Sequence, residues 1–365
     1  MNPLAMLYQT YRKRSSGWKL LIALIAMGWT GCGSGAPAPL APASPKQTSL
    51  LSVSGSVERP LTLSSEDLAQ FPTVTARLND VHLDGAFHGV FRYTGVPLRL
   101  LLDQAGIVKK GGLFNRDLDL AIVVRNAKGQ AAVLSWGEVF YRNAAEILLA
   151  HTAEPIFPHK PCENCHSEEE ARPWRAPLER TVPMPKLVAT RDFTTERCLE
   201  SVTSIEIVAL GADHGLHVEK GKGPKPLYAP SIEIRKAEEL HATIESLEGY
   251  ARRDARVIQA GDGTGFHGFK SFEGTSLKEI LTRLSIEPDP AGALLLSAPD
   301  GYRVLLSNAE ALTVIDAELM ILADRKDGQP EPDGGAFHLV IPTDLSADRW
   351  LKSVARIDVL RADGR

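Results

Sequence analysis

The sequence predicts an α+β fold present in two tandem copies, at about residues 50–210 and 228–362. Three observations predict it. Strand-like alternation gives way to helical spacing, and this succession occurs twice. A co-linear register links the two stretches: Phe87-His88-Gly89 matches Phe266-His267-Gly268, and Gly95, Leu98, Leu102 and Ile107 fall on Gly274, Leu277, Leu281 and Ile286. Residues 211–227, rich in Gly, Lys and Pro, read as a linker between the copies.

The elements follow in order. In residues 1–32 the basic Arg12, Lys13, Arg14 and Lys19 precede a short apolar run over 20–27, and Gly28 to Cys32 follow it. This is the layout of an export signal, with a run short for a membrane span. Cys32 after Thr30-Gly31 resembles the lipidated cysteine of bacterial lipoproteins, although Trp29 stands where a branched aliphatic residue is usual; an uncleaved N-terminal anchor is the alternative. Residues 33–49 are Pro-, Ala-, Ser- and Gly-rich and read as a disordered tether. Leu61-Thr62-Leu63 is extended, and Ser64-Ser65-Glu66-Asp67 has the hydroxyl cap and acidic first turn of a helix start. Leu98, Leu101, Leu102 and Ala105 share one helix face, whereas the Ile- and Val-rich residues 118–125 read as a strand. A turn over 126–129 joins that strand to a hairpin partner at 131–134.

The register continues through Gly129/Gly301, Ser135/Ser307, Glu138/Glu310 and Glu146/Glu318. It resumes at Leu187-Val188/Leu339-Val340, Asp192/Asp344, Arg197/Arg349 and Ile205/Ile357. The spacing between equivalents falls from 172 to 152 across that break, so the first copy carries 20 extra residues there. Each copy closes on a strand, Ile205-Glu206-Ile207-Val208 and Ile357-Asp358-Val359-Leu360.

Inside the extra segment, at about residues 155–186, lies Cys162-Glu163-Asn164-Cys165-His166. Two thiols at this spacing can form thioethers with the vinyl groups of a haem, and the adjacent histidine is placed to ligate its iron. On this reading Cys162 and Cys165 are the covalent anchors of haem c, His166 is the proximal ligand, and Met184 is the candidate distal ligand. His151, His159, His214 and His217 are the other candidates for the sixth position, and Phe157 and Trp174 could cover the macrocycle edge. A segment of about 30 residues is shorter than a usual cytochrome fold, so the scaffold would supply the rest of the pocket. Two further readings stand beside this one. Cys162 and Cys165 could be a redox disulfide, or with His166 and Cys198 a zinc site. Cys198 reads otherwise as a small buried hydrophobe. Alternatively the chain is a non-catalytic binding module in which the cysteines are a structural staple. His88 and His267 read as fold determinants in Gly-flanked turns, and Ser167-Glu168-Glu169-Glu170 as a solvated acidic run or, alternatively, a helix start after the attachment site.

The first copy resembles the sulfite-oxidase-type molybdopterin-binding oxidoreductase domain. The resemblance rests on residues 55–63 (GSVERPLTL), Asp67-Leu68, Tyr93-Thr94-Gly95-Val96-Pro97-Leu98 with Leu101-Leu102, Pro185-Lys186-Leu187-Val188, and Ile205-Glu206-Ile207. It covers about 150 residues of the first copy and, more weakly, the second. It implies an α+β architecture with mixed sheets in each copy. The family holds molybdenum through a pterin dithiolene and one cysteine, expected here between the Asp67-Leu68 helix and Gly95. Residues 69–92 contain no cysteine, nor does the matching part of the second copy, so the resemblance carries the fold and not the molybdenum chemistry.

A net charge of −4 without a basic stripe excludes a nucleic-acid footprint. No phosphate-binding loop, dinucleotide fingerprint or nucleophile elbow is present. The expectation is therefore a membrane-anchored lipoprotein of the bacterial cell envelope, a monohaem cytochrome on a degenerate oxidoreductase scaffold that exchanges electrons with a partner protein.

Overall fold

Four β-sheets and a few short helices make up a mixed α/β architecture. The computed structural model describes residues 50–157, 167–219, 221–261, 263, 265–330 and 335–362. In the first half the strands are β1 (Leu51–Gly55), β2 (Leu61–Leu63), β3 (Val74–Val81), β4 (Phe87–Pro97), β5 (Ala121–Asn126), β6 (Ala131–Ser135), β7 (Ile147–Pro155), β8 (Lys186–Ala189) and β9 (Val202–Val208). In the second they are β10 (Ile232–Lys236), β11 (Glu239–Ile244), β12 (Arg253–Ala260), β13 (Phe266–Ser276), β14 (Gly292–Ser297), β15 (Arg303–Ser307), β16 (Ile321–Lys326), β17 (Gln329–Pro330), β18 (His338–Val340) and β19 (Arg356–Arg361). The helices are α1 (Ser65–Leu68), α2 (Leu98–Ala105), α3 (Trp136–Phe140), α4 (Glu168–Arg175), α5 (Leu277–Arg283) and α6 (Asn308–Leu312). None is long and apolar enough to cross a membrane.

One sheet of each half runs β2-β1-β9-β5-β6 or β11-β10-β19-β14-β15. Both are mixed, because β1/β9 and β10/β19 pair in parallel and the rest antiparallel. The second sheet of each half runs β3-β4-β7-β8 or β12-β13-β16, with β17 and β18 both paired to β16. The local signals act as expected. Ser64 and Asp67 form a reciprocal capping box at α1, and Leu98, Leu101, Leu102 and Ala105 are the buried face of α2.

Pairing also fixes the register between halves. Pro97 faces Leu148 as Ser276 faces Ile321, so equivalents along β7/β16 are 173 apart, and Leu187/Leu339 remain 152 apart. The inserted segment is thus 21 residues long, and the Glu146/Glu318 pairing is displaced by one. The 3-10 turns Ala144–Glu146 and Ala317–Leu319 place Glu146 opposite Leu319.

Each half has its own apolar core, one around Val53, Leu101, Ile122 and Ile205, the other around Ile234, Ile280, Leu294 and Ile357. A further cluster joins the two halves: Ala121, Val123 and Val133 pack with Ala293, Leu295 and Leu305, which are their register equivalents. The linker contributes to the same packing. A Cβ on Gly211 would lie 2.6 Å from Leu295 Cδ2, and one on Gly215, which has φ +80°, 2.6 Å from Ser297 Oγ. The glycines read as a loose connection are there because the chain runs close against β14.

Candidate functional site

Cys162, Cys165, His166, His159 and Cys32 lie outside the described residues. The two ends of the inserted segment are described. Where β7 ends, the Ile156 N–H donates to the Val90 carbonyl, and Phe157 is exposed. Downstream, Ser167 and Glu170 form the capping box of α4, whose acidic first turn is the helix start read from the sequence. Trp174 is half-buried on α4. The segment then returns over β4: the Pro177 carbonyl lies 3.1 Å from where a Gly89 Cβ would sit.

A polar cluster holds this return in place. Asp80 on β3 accepts from Lys186 Nζ on β8 at 2.5 Å, from Arg180 Nη2 at 2.9 Å and from Thr195 Oγ1 at 2.7 Å. Glu200 accepts from Arg180 Nη1 at 2.8 Å and from Lys186 at 3.2 Å, and Arg180 Nε donates to the His88 carbonyl at 2.9 Å. Lys186 is 1% exposed in an otherwise apolar strand. Burial alone would raise the Asp80 carboxyl, but Lys186, Thr195 and Arg180 together hold it below its ordinary value. Burial would likewise depress Lys186, and Asp80 outweighs it and keeps the ammonium charged. The Lys186 ammonium also sits 5.2 Å from the centroid of the Tyr93 ring. The Tyr93 hydroxyl, buried, is pushed up to about 12 mainly by burial.

Two cations and two carboxylates leave this cluster neutral. It is built to fix the inserted segment on the sheet rather than to trap an anion. It belongs to the first half alone: register puts Gln259, Phe272, His338 and Lys352 where Asp80, Tyr93, Lys186 and Glu200 stand. The sequence reading missed it. The one local signal is a lysine opening the buried strand Lys186–Ala189.

The remaining candidates are dispersed. Met184 is partly buried against the apolar cluster of Leu78, Phe91, Tyr93, Val182 and Cys198. Cys198 belongs to that cluster, accepts from the Ala189 N–H at 3.4 Å, and has its thiol pushed up to about 12 by burial. The Nε2 atoms of His88 and His151 are buried with no hydrogen-bond partner among the described residues, and the His88 ring lies 4.3 Å from that of His82. His267 Nε2 instead meets the Gly261 carbonyl at 3.0 Å, closing its hairpin. His214 is 3.9 Å from Glu238, and His217 is exposed. No group of three or more His, Cys, Asp or Glu side chains among the described residues has the geometry of a metal site.

The strongest register matches meet in a buried ionic interlock. Arg197 is held by Asp192 at 2.6 and 2.7 Å and by Glu138 at 3.0 and 2.9 Å, and its Nη1 donates to Ser307 Oγ of the other half at 3.1 Å. Arg349 is held by Asp344 and Glu310, each at 2.7 Å, and donates to Ser135 Oγ at 3.2 Å. Each arginine thus reaches the serine that caps a helix of the opposite half. Burial pushes the Glu138 and Asp344 carboxyls up despite their arginines, whereas at Glu310 burial is outweighed by Arg349 and Arg142 and the carboxyl is held down. This explains residues that the sequence offered only as repeat markers.

No family model matches the chain, and no curated protein matches it. Among solved structures it is similar to the sulfane dehydrogenase SoxCD from Paracoccus pantotrophus, at 12% identity over 84% of this chain and 77% of that one, with a TM-score of 0.29.

Proposed function

We propose that this chain is an exported redox protein of the bacterial cell envelope that carries one c-type haem on Cys162 and Cys165, with His166 as proximal ligand, and exchanges electrons with a partner protein. The observation that carries the reading is the Cys162-x-x-Cys165-His166 spacing inside a segment that the second half lacks, in a chain that opens with an export-type signal. The matching strand orders support tandem duplication of one scaffold, the sequence resemblance is what suggests the sulfite-oxidase type, and Cys32 is proposed as a lipid anchor. A bound haem would supply one-electron chemistry. The chain's own residues would set its position: Arg180 and Lys186 fix the stem of the inserted segment to Asp80 and Glu200. Met184 remains the proposed distal ligand, and its place at the edge of an apolar cluster would require its thioether to turn outward. The Nε2 atoms of His88 and His151, which have no hydrogen-bond partner among the described residues, are further candidate donors on the same sheet. No pterin or molybdenum step is proposed.

The zinc reading is weaker, because Cys198 is buried and its thiol is held protonated. The test is an absorption spectrum and intact mass of the chain expressed with cytochrome c maturation machinery. A Soret band and the added mass of one haem, both lost in Cys162→Ala or Cys165→Ala, support the reading. A colourless chain of unmodified mass, beside a control cytochrome that matures, refutes it and turns attention to thiol and zinc assays.

A further inference from the structure

The first half carries a second departure from the repeat. Spacing between equivalents falls from 179 at Gly95/Gly274 to 172 at Ala121/Ala293, so seven extra residues lie between α2 and β5. They include Lys109-Lys110-Gly111-Gly112-Leu113-Phe114. This loop reaches the β14–β15 turn of the second half: Arg116 Nη1 donates to Tyr302 Oη at 3.1 Å, and the Phe114 and Tyr302 rings meet edge-on at 5.2 Å. Between the loop, the linker residues 209–218 and that turn is a cavity of about 240 Å³.

Three features give the cavity a chemistry. Its lining includes Lys109, Lys110, His217 and Arg303 and no acidic side chain. Lys109 Nζ and Arg303 are both bound to the fully buried Asp119, at 2.6 and 2.8 Å, which fixes two cations at the cavity wall; Lys110 is exposed and has no ion-pair partner among the described residues. Gly111 and Gly112 have φ +78° and +89°, and their N–H groups donate to no acceptor among the described residues. Unpaired backbone donors beside cationic side chains suit an oxyanion. The lining also has apolar side chains, Leu113, Phe114, Leu216 and Val218. The volume admits about eight waters at liquid density, or one small organic molecule.

We infer that this cavity binds a small organic anion, with its phosphate-like head on Lys110 and the Gly111–Gly112 amides and its apolar body against Leu113 and Phe114. The site is independent of the haem reading. The loop that supplies Lys110, Gly111, Gly112, Leu113 and Phe114 carries the residues added to the first half, so the second half has no matching loop among the described residues.

The experiment is titration calorimetry on the full chain with phenyl phosphate, and with benzyl alcohol as the neutral control. Lys109 and Arg303 are structural through Asp119, so the variants are Lys110→Ala and Leu113→Asp, both at exposed side chains, with thermal melts to verify folding. The expected result is saturable binding of phenyl phosphate with a Kd of about 1 mM or tighter, weakened about tenfold or more in each variant, and none of benzyl alcohol. Binding should also weaken with added salt. No binding of phenyl phosphate up to ~10 mM, or equal binding by wild type and both folded variants, overturns the inference.

Discussion

Replacing Asp80 by Asn removes one charge and little volume, and it tests what the polar cluster does. The carboxylate faces Lys186, 1% exposed, at 2.5 Å and Arg180 at 2.9 Å. Breaking a buried pair by removing one partner costs about 3–5 kcal/mol. Lys186 keeps Glu200 at 3.2 Å, which places Asp80→Asn near the lower end, at about 3 kcal/mol. The pH dependence has a definite sign. The folded state holds the Asp80 carboxyl below its ordinary value, so the folded chain binds fewer protons here than the unfolded chain does. That contribution is full above the unfolded pKa of about 3.9 and is lost as pH falls through the lower folded value. Urea unfolding of both proteins from pH 7 down to ~3 should therefore show a gap that narrows below about pH 4. A loss under about 1 kcal/mol at pH 7, or a gap that does not narrow in acid, refutes the reasoning. A companion triple variant, Asp80→Gln, Tyr93→Phe and Lys186→His, installs the second half's residues and removes the buried pair as a unit. It should stay within about 2 kcal/mol of wild type, because replacing a whole buried pair is often neutral. Arg180 then retains Glu200 and the His88 carbonyl but not Asp80, and cleavage within residues 156–182 by a protease should be faster.

Three further outcomes follow from the same structure. Arg349→Met, at a fully buried arginine, leaves Asp344 without its arginine and Glu310 with Arg142 and Ser135 alone, and should cost about 3–5 kcal/mol in denaturant unfolding; a loss under 1 would contradict the interlock. Gly215→Ala should destabilise by about 1–3 kcal/mol, since it adds a Cβ 2.6 Å from Ser297 Oγ at a positive φ, whereas Gly221→Ala, whose added Cβ meets nothing within 4 Å, should be milder, about 1 kcal/mol, from its φ of +84° alone. Cys198, buried and with its thiol pushed up to about 12, should resist iodoacetamide at pH 8 until denaturant is added; prompt native labelling at that residue would contradict its burial.

What could be read from the sequence depended on how locally each signal is written. Ser64 to Asp67 specifies its helix start within four residues, and the Ile- and Val-rich run around Ile122 specifies a strand, so both emerged in place. The pairs Ser135/Ser307, Glu138/Glu310, Asp192/Asp344 and Arg197/Arg349 were visible because the same buried geometry recurs in each half; their meaning was not, because each arginine completes its bonds across the seam, more than a hundred residues away. Glu146/Glu318 slipped by one because two glutamates made a plausible match while the 3-10 turns, which set the register, have no distinctive residues. Gly211 and Gly215 carry the composition of a loose linker and the positions of a tight contact, and composition alone cannot separate those causes.

The same logic explains why the two candidate sites differ in legibility. A covalent haem site writes its requirements into five adjacent residues, because both thioethers and the iron ligand lie at the attachment point. An assembled site has no such economy. Asp80 and Lys186 stand 106 positions apart, and Lys110 and Arg303 are joined only by a loop and a turn. Such residues look like ordinary surface charges until the strands place them. What marks both places in advance is departure from the repeat. Of two otherwise matched halves, the first alone carries the 21-residue and seven-residue additions. Each addition packs against the frame, through buried Leu178 and Val182 in the first and the Phe114–Tyr302 contact in the second, yet the second half closes its own core without an equivalent of either. The additions are therefore where function beyond packing should be sought.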